Sequence, residues 1–291
     1  MHLVADRKGQ ITEENSLQDR FLQGMYEHRI GRMLLRPLIA PAVSKIGGKL
    51  LDTGMSKAFI GPFIQNHRID MSDYEQITYR SYNDFFTRKL AVGARRIEQE
   101  PDIFISPCDS RLCVYEINDS SVFPIKNTWY SVESLVRSRK AANAYAGGYI
   151  WIFRLCVDDY HRYIYVDQGE VSRNVRIPGV FHTVNPVAND QYPIYKENAR
   201  EYALLRSEHF GTVLQMEVGA LMVGKIHNHP GRRMVERGQE KGYFAFGGST
   251  VILMTKAGTV CPDEDILKNS RKGIETRVRL GEGVGRKNAG R

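Results

Sequence analysis

The stretch Lys241-Gly-Tyr-Phe-Ala-Phe-Gly-Gly-Ser-Thr-Val-Ile-Leu-Met254 decides how the rest of the chain is read. Its two halves, 243–246 and 251–255, are short runs of aromatic and β-branched residues, which suit a pleated, half-buried surface. Between them Gly247, Gly248 and Ser249 have the composition of a tight turn, since glycine reaches positive φ at no steric cost. On physical grounds the segment predicts a β-hairpin. Similar runs at 103–106, 111–117, 149–157, 162–166, 171–176, 212–218 and 221–226 are separated by Gly, Pro, Asn and Asp at hairpin spacing. From about residue 100 onward the texture therefore predicts antiparallel sheets in a sandwich or barrel.

The N-terminal part reads differently. Leu17, Phe21, Leu22, Met25, Tyr26, Ile30, Met33 and Leu34 recur at three- and four-residue spacing, the pattern of an amphipathic helix. Arg29, Arg32 and Arg36 follow the same spacing on another flank. After Pro37 and Pro41 a second, glycine-broken apolar segment carries Ile46, Leu50, Leu51, Met55, Phe59, Ile60 and Phe63. Such a region, 14–70, either caps a core or lies in a membrane interface. Arg36 and Lys45 cut its longest apolar stretch below the roughly 18 residues a spanning helix needs. The expected fold class is α+β: a β-rich core of antiparallel sheets with an N-terminal helical layer, in one domain over residues 1–291. The polar, basic segment 263–291 is expected to fray at its end.

Composition narrows the function classes. With 291 residues, 42% hydrophobic and 25% charged, the chain has interior enough for a core, which excludes a disordered or fibrous protein. Lys and Arg outnumber Asp and Glu by 41 to 33, a balance that suits an anionic partner or a solvated basic surface. Cys108, Cys113, Cys156 and Cys261 form no CxxC pair, which disfavours structural zinc and a disulfide scaffold. No apolar signal-peptide region opens the sequence, so a reducing cytoplasm is expected. His227 and His229, two apart, could form half a metal site, but no third ligand follows at fitting spacing. The Lys and Arg of 268–291 lack the aromatic residues of a nucleic-acid module. Neither a metal nor a nucleic acid is expected.

Two glycines leave the Gly248 carbonyl unshielded beside the Ser249 hydroxyl, so they permit self-cleavage without requiring it. By itself Asp109, in a Pro-x-Asp turn, reads as an Asx-turn residue rather than a catalytic one. His161, beside Asp158 and Asp159, by itself reads as a satisfied structural histidine.

Six blocks, in order, overturn those structural readings. The segment 241–254 closely resembles the self-cleavage site of the pyruvoyl-dependent phosphatidylserine decarboxylases. Ser81-Tyr-Asn-Asp-Phe-Phe-Thr-Arg-Lys-Leu90 is similar to an upstream motif of that family, and Asp159-Tyr-His-Arg162 to its histidine motif. Ser106-Pro-Cys-Asp-Ser-Arg111 resembles the block holding its triad aspartate, with Ser110 where glycine is usual. Phe181-His-Thr-Val-Asn-Pro186 and 216–224 also resemble family segments.

The resemblance implies a proenzyme in which Ser249, activated by a histidine that Asp109 orients, attacks the Gly248 carbonyl. The implied products are a β chain, 1–248, and an α chain, 249–291, whose Ser249 becomes a pyruvoyl group. Its ketone would form a Schiff base with phosphatidylserine and draw electrons from Cα as carbon dioxide leaves, yielding phosphatidylethanolamine. No metal enters this scheme. Many members carry a second histidine three residues after the first; here that position is Ile164. His161 would then serve as both base and proton donor, or His182 would assist. The resemblance further implies chains that stay associated, a homodimer, and a peripheral enzyme at the cytoplasmic face of an anionic membrane. Two alternatives keep less of it: a pyruvoyl-dependent decarboxylase of a soluble amino acid, or a non-cleaving lipid-binding relative.

Overall fold

Strands that are apolar on both sides need a packed layer against each face. In Tyr149–Leu155, Trp151, Phe153 and Leu155 enter one core while Ile150 and Ile152 enter a second. Ser249–Thr255 repeats this with Val251 and Leu253 against Ile252 and Met254. The computed structural model describes residues 2–14, 48–118, 120, 122–125, 128–179, 194–219, 226–245 and 249–288, and builds those layers around one large sheet.

From edge to edge the sheet runs Arg233–Val235, Gly169–Val171, Arg200–Ser207, Gly211–Val218, Ser249–Thr255, Tyr149–Leu155, Ser110–Glu116, Glu275–Val278, His2–Ala5 and Ile11–Glu14. Val175–Ile177 adds to the side of Arg200–Ser207. His2–Ala5 pairs in parallel with Glu275–Val278, whereas the neighbours of Ser249–Thr255 are antiparallel to it. On one face Trp151 packs on Phe104, which meets Phe210 edge-on. On the other, Phe123 and Tyr130 pack with Leu135 and Tyr145, which two short helices, Val132–Val136 and Arg139–Tyr145, turn into the second core. Serine caps start both helices: Ser131 Oγ accepts from the Ser134 amide at 3.1 Å and Ser138 Oγ from the Ala141 amide at 3.3 Å.

The α+β class and the β-rich core agree with the sequence reading; the hairpin does not. Glu240–Phe244 belongs to a separate three-stranded sheet with Ile226–Asn228 and Arg162–Ile164, while Ser249–Thr255 is central in the large one. The Gly-Gly-Ser segment therefore links two sheets. Gly242 allows the small sheet to close, since a Cβ there would lie 2.2 Å from the His227 carbonyl oxygen. In place of a sandwich or barrel, the described residues form one eleven-stranded sheet and three smaller ones. The run 171–176 divides between two strands, Gly169–Val171 and Val175–Ile177.

The polar C-terminal segment contributes to the core through Gly285 and stays in a strand through Lys287. Helix Glu264–Arg271 buries Ile266, and strands Glu275–Val278 and Gly283–Lys287 bury Val278 and Val284. Its charges are on alternate positions, which conceals a strand that is buried on one side.

Of the helical layer, the part from residue 48 onward is described; the helix expected over 17–34 lies outside the described residues. A 3₁₀ turn, Gly54–Phe59, leads into helix Ile60–His67, and helix Tyr82–Phe86 packs beside them. Leu51, Ile60, Phe63 and Ile64 pack on Tyr82, Phe85 and Phe86. Leu50, Met55 and Phe59 instead expose 64%, 87% and 61% of their surface. Among the described residues no helix is long and apolar enough to cross a membrane.

Candidate active site

Strand register brings the site together at one end of the large sheet. A row of paired residues crosses it through Arg277, Arg111, Arg154, Thr250 and Val218. Ser249 pairs with Leu155, one step beyond that row. It is fully buried, and its hydroxyl oxygen has no hydrogen-bond partner among the described residues. The Thr250 and Ser110 hydroxyls of the same sheet share this state, so what sets Ser249 apart is its place directly after Gly248 at the head of a central strand.

The loop that follows Leu155 leads directly to His161. Asp159 Oδ2 accepts from the Cys156 amide at 2.7 Å and from Arg111, which pins the loop to the neighbouring strand. His161 Nδ1 lies 2.9 Å from the Asp159 carbonyl oxygen. A carbonyl can only accept, so Nδ1 carries the proton and Nε2 keeps the lone pair that a general base needs. The ring packs at 4.2 Å on Phe86, and the His161 carbonyl accepts from the Phe244 amide at 3.0 Å. Phe244 ends the strand just before the Gly-Gly-Ser segment. His161 is thus tied to the chain on both sides of Ser249, through Leu155 and through Phe244.

Asp109 is held differently. One carboxylate oxygen accepts from the Leu280 amide at 2.7 Å and the other pairs with Arg95 at 3.2 Å. Ile164 is buried in the first core, its amide bonded to the Pro107 carbonyl at 2.9 Å, and it lines a cleft of about 220 Å³ with Arg95, Tyr160, Arg162 and Leu280. Gly248 and His182 lie outside the described residues.

Electrostatics at this end are dominated by burial. It pushes the Asp159 carboxyl up to about 6, although Arg111 opposes the shift. It also pushes the Cys156 thiol up to about 12. Cys156, Asp158 and Asp159 hold ligand-type atoms within 4.8 Å of one another, but Arg154 donates to Cys156 Sγ at 3.0 Å and Arg111 binds Asp159. Guanidinium groups thus already bind two of the three ligand-type residues. His227 stacks on Tyr243 at 4.7 Å, and His229 Nε2 lies 2.9 Å from Glu240, so the two histidines face separate partners.

A buried polar network that the sequence reading missed lies beneath the site. Lys241 and Glu217, both fully buried, form an ion pair. Asn228 bonds Lys241 Nζ at 3.1 Å and Glu217 at 2.9 Å, and Tyr163 Oη donates to Asn228 at 3.1 Å. Glu217 pairs in register with Val251 on the Ser249 strand, whereas Lys241 sits on the strand that ends at Phe244. The pair therefore joins the strand before Gly248 to Gly211–Val218, the neighbour of the strand after it. A lysine beside an apolar run was the available signal.

Comparison with known proteins agrees with the blocks read from the sequence. The phosphatidylserine decarboxylase family model matches residues 82–286. The chain is 44% identical over 280 residues to "Phosphatidylserine decarboxylase proenzyme 2" of Clostridium acetobutylicum, covering 96% of each chain. It is 40% identical over 275 residues to a phosphatidylserine decarboxylase proenzyme of Clostridium botulinum strain Langeland, covering 92% of this chain and 93% of the other. A proenzyme of the same name from Clostridium novyi is 37% identical over 291 residues, covering 98% and 99%. Motif order, the buried serine at the head of a central strand and near-full-length similarity agree, and the chain belongs to the phosphatidylserine decarboxylase family of carboxy-lyases.

Proposed function

We propose that this chain is a proenzyme that cuts itself between Gly248 and Ser249 and then converts phosphatidylserine to phosphatidylethanolamine. The observation that carries this reading is the placement of Ser249: directly after Gly248, fully buried, its hydroxyl without a partner among the described residues, and joined to the His161 loop through Leu155. His161, with its lone pair on Nε2, removes the hydroxyl proton as Oγ attacks the Gly248 carbonyl and turns the amide into an ester. Loss of the Ser249 Cα proton then breaks the Cβ–Oγ bond, leaving a Gly248 carboxylate and dehydroalanine. Hydrolysis of the dehydroalanine releases ammonia and forms a pyruvoyl group.

That group supplies the electron sink for decarboxylation, which a serine cannot. The residues present fit it: the site is dry, walled by Leu155 and Phe86, and has a histidine to move a proton at Cα. Asp109, which the resemblance assigns to orienting the histidine, is tethered by Arg95 and the Leu280 amide, while the Asp159 carbonyl holds His161 Nδ1; His182 is the reserve proton donor. The exposed Leu50, Met55 and Phe59 and the surplus of Lys and Arg support peripheral docking on an anionic bilayer at the cytoplasmic face. The family resemblance also supports a homodimer.

Intact mass spectrometry tests the reading. Two chains split at 248/249, the smaller with a blocked N-terminus, are expected from the wild type, and one uncut, inactive chain from Ser249→Ala. Decarboxylation by the uncut variant would overturn it.

A further inference from the structure

Arg88 is a buried cation with no anion of its own. It is 2% exposed, and among the described residues no carboxylate lies within ion-pairing distance. Its Nε and Nη1 are buried without an acceptor. Nη2 makes only long contacts, 3.3 Å to Tyr74 Oη and 3.4 Å to the Asp158 carbonyl oxygen. The guanidinium lies 4.4 Å from the Tyr74 ring centre and 5.0 Å from that of Phe85. Tyr79 meets the same Phe85 ring edge-on at 5.4 Å, and its hydroxyl is likewise buried without a partner among the described residues. Cation–π contact offsets part of the desolvation of a guanidinium, but it leaves the N–H groups unbonded.

This donor cluster adjoins the reaction centre. Phe86, two residues away, packs on His161, and Arg162 donates to the carbonyls of Thr87 and Arg88 at 2.7 and 3.2 Å. The lipid substrate of the proposed reaction carries two anionic groups. Its carboxylate loses its charge as carbon dioxide leaves, so a guanidinium bound there would stabilise the ground state more than the transition state and raise the barrier. The phosphodiester keeps its charge throughout, and its phosphorus is three bonds from the reacting Cα.

We propose that Arg88, helped by the Tyr79 hydroxyl, binds the phosphodiester of the lipid substrate. The inference rests on the decarboxylase reading above. Since Arg88 is covered in this structure, the layer of residues 48–86 must part to admit the headgroup.

The test uses mature, self-cleaved enzyme, short-chain phosphatidylserine as substrate, and short-chain phosphatidylmethanol as inhibitor, a phosphodiester with neither amine nor carboxylate. Phosphatidylmethanol should compete with substrate in the wild type. Arg88→Met should raise KM at least tenfold and weaken this inhibition at least tenfold, with kcat within about threefold, as expected for loss of a charge-assisted contact that does not change during reaction. An unchanged KM, or a raised KM with unchanged inhibition, overturns the proposal; the second outcome would assign Arg88 to the carboxylate or to packing. If Arg88→Met fails to mature, Tyr79→Phe serves instead, with at least threefold weaker inhibition expected and wild-type inhibition overturning the proposal. Wild-type turnover reports on the decarboxylase reading, and the ratio of variant to wild type reports on the anion site.

Discussion

Lys241 and Glu217 show how much of this site depends on single charges in dry surroundings. Burial alone pushes the Glu217 carboxyl up and the Lys241 amine down, so each keeps its charge through the other. Removing one partner strands the other. Lys241→Met is expected to cost about 3–5 kcal/mol, whereas the double change Glu217→Leu with Lys241→Met should recover most of that loss. Urea unfolding in the uncut Ser249→Ala background measures both; a single-variant cost under about 1 kcal/mol would show the pair to be energetically idle. Residue type and neighbourhood alone leave Ser249, His161 and Asp109 with structural readings, and it is the family motifs that single them out. The motifs do not mark their partners. The amide that holds Asp109 belongs to Leu280, 171 residues away, and Arg95 carried no motif signal.

Among the elements, strands with β-branched and aromatic runs were legible and those with interspersed charge were not. Arg200–Ser207 lies inside the large sheet, yet Arg200, Glu201 and Arg206 break its apolar pattern. The N-terminal strand His2–Ala5 depends on a partner, Glu275–Val278, that local sequence cannot indicate, and Arg7 extends the contact by pairing with Asp263 at 2.7 Å. For this reason deleting residues 1–65 would damage the sheet as well as any docking surface. Point changes separate the two effects. Met55→Ser with Phe59→Ser removes two side chains that are 87% and 61% exposed, so stability should change by no more than about 0.5 kcal/mol per site. If the patch enters a bilayer, each lost side chain forfeits part of the ~1.5–3 kcal/mol that full burial supplies, and binding to anionic vesicles should fall about tenfold or more. Vesicle sedimentation checks this, and full-strength binding by the double variant would exclude the patch as the membrane contact.

On the scale of the whole molecule, topology determines what self-cleavage does to the protein. The segment after the cut contributes Ser249–Thr255, inserted between Gly211–Val218 and Tyr149–Leu155, and Glu275–Val278, inserted between Ser110–Glu116 and His2–Ala5. Two strands from before the cut, Tyr149–Leu155 and Ser110–Glu116, lie between these two insertions. The product chains are therefore interleaved in one sheet, with Val251, Ile252, Leu253 and Met254 fully buried among residues of the other chain. Releasing the smaller chain would break hydrogen-bond ladders on both sides of two strands and open both cores together, which amounts to unfolding. Cleaved protein should therefore elute as one species in native buffer. Its two chains should separate only in denaturant, at the midpoint where secondary structure is lost, and the isolated 249–291 fragment should have no fold of its own. Free fragment in native buffer would mean that cleavage rearranges the sheet, and the uncut arrangement could then not be carried over to the active enzyme.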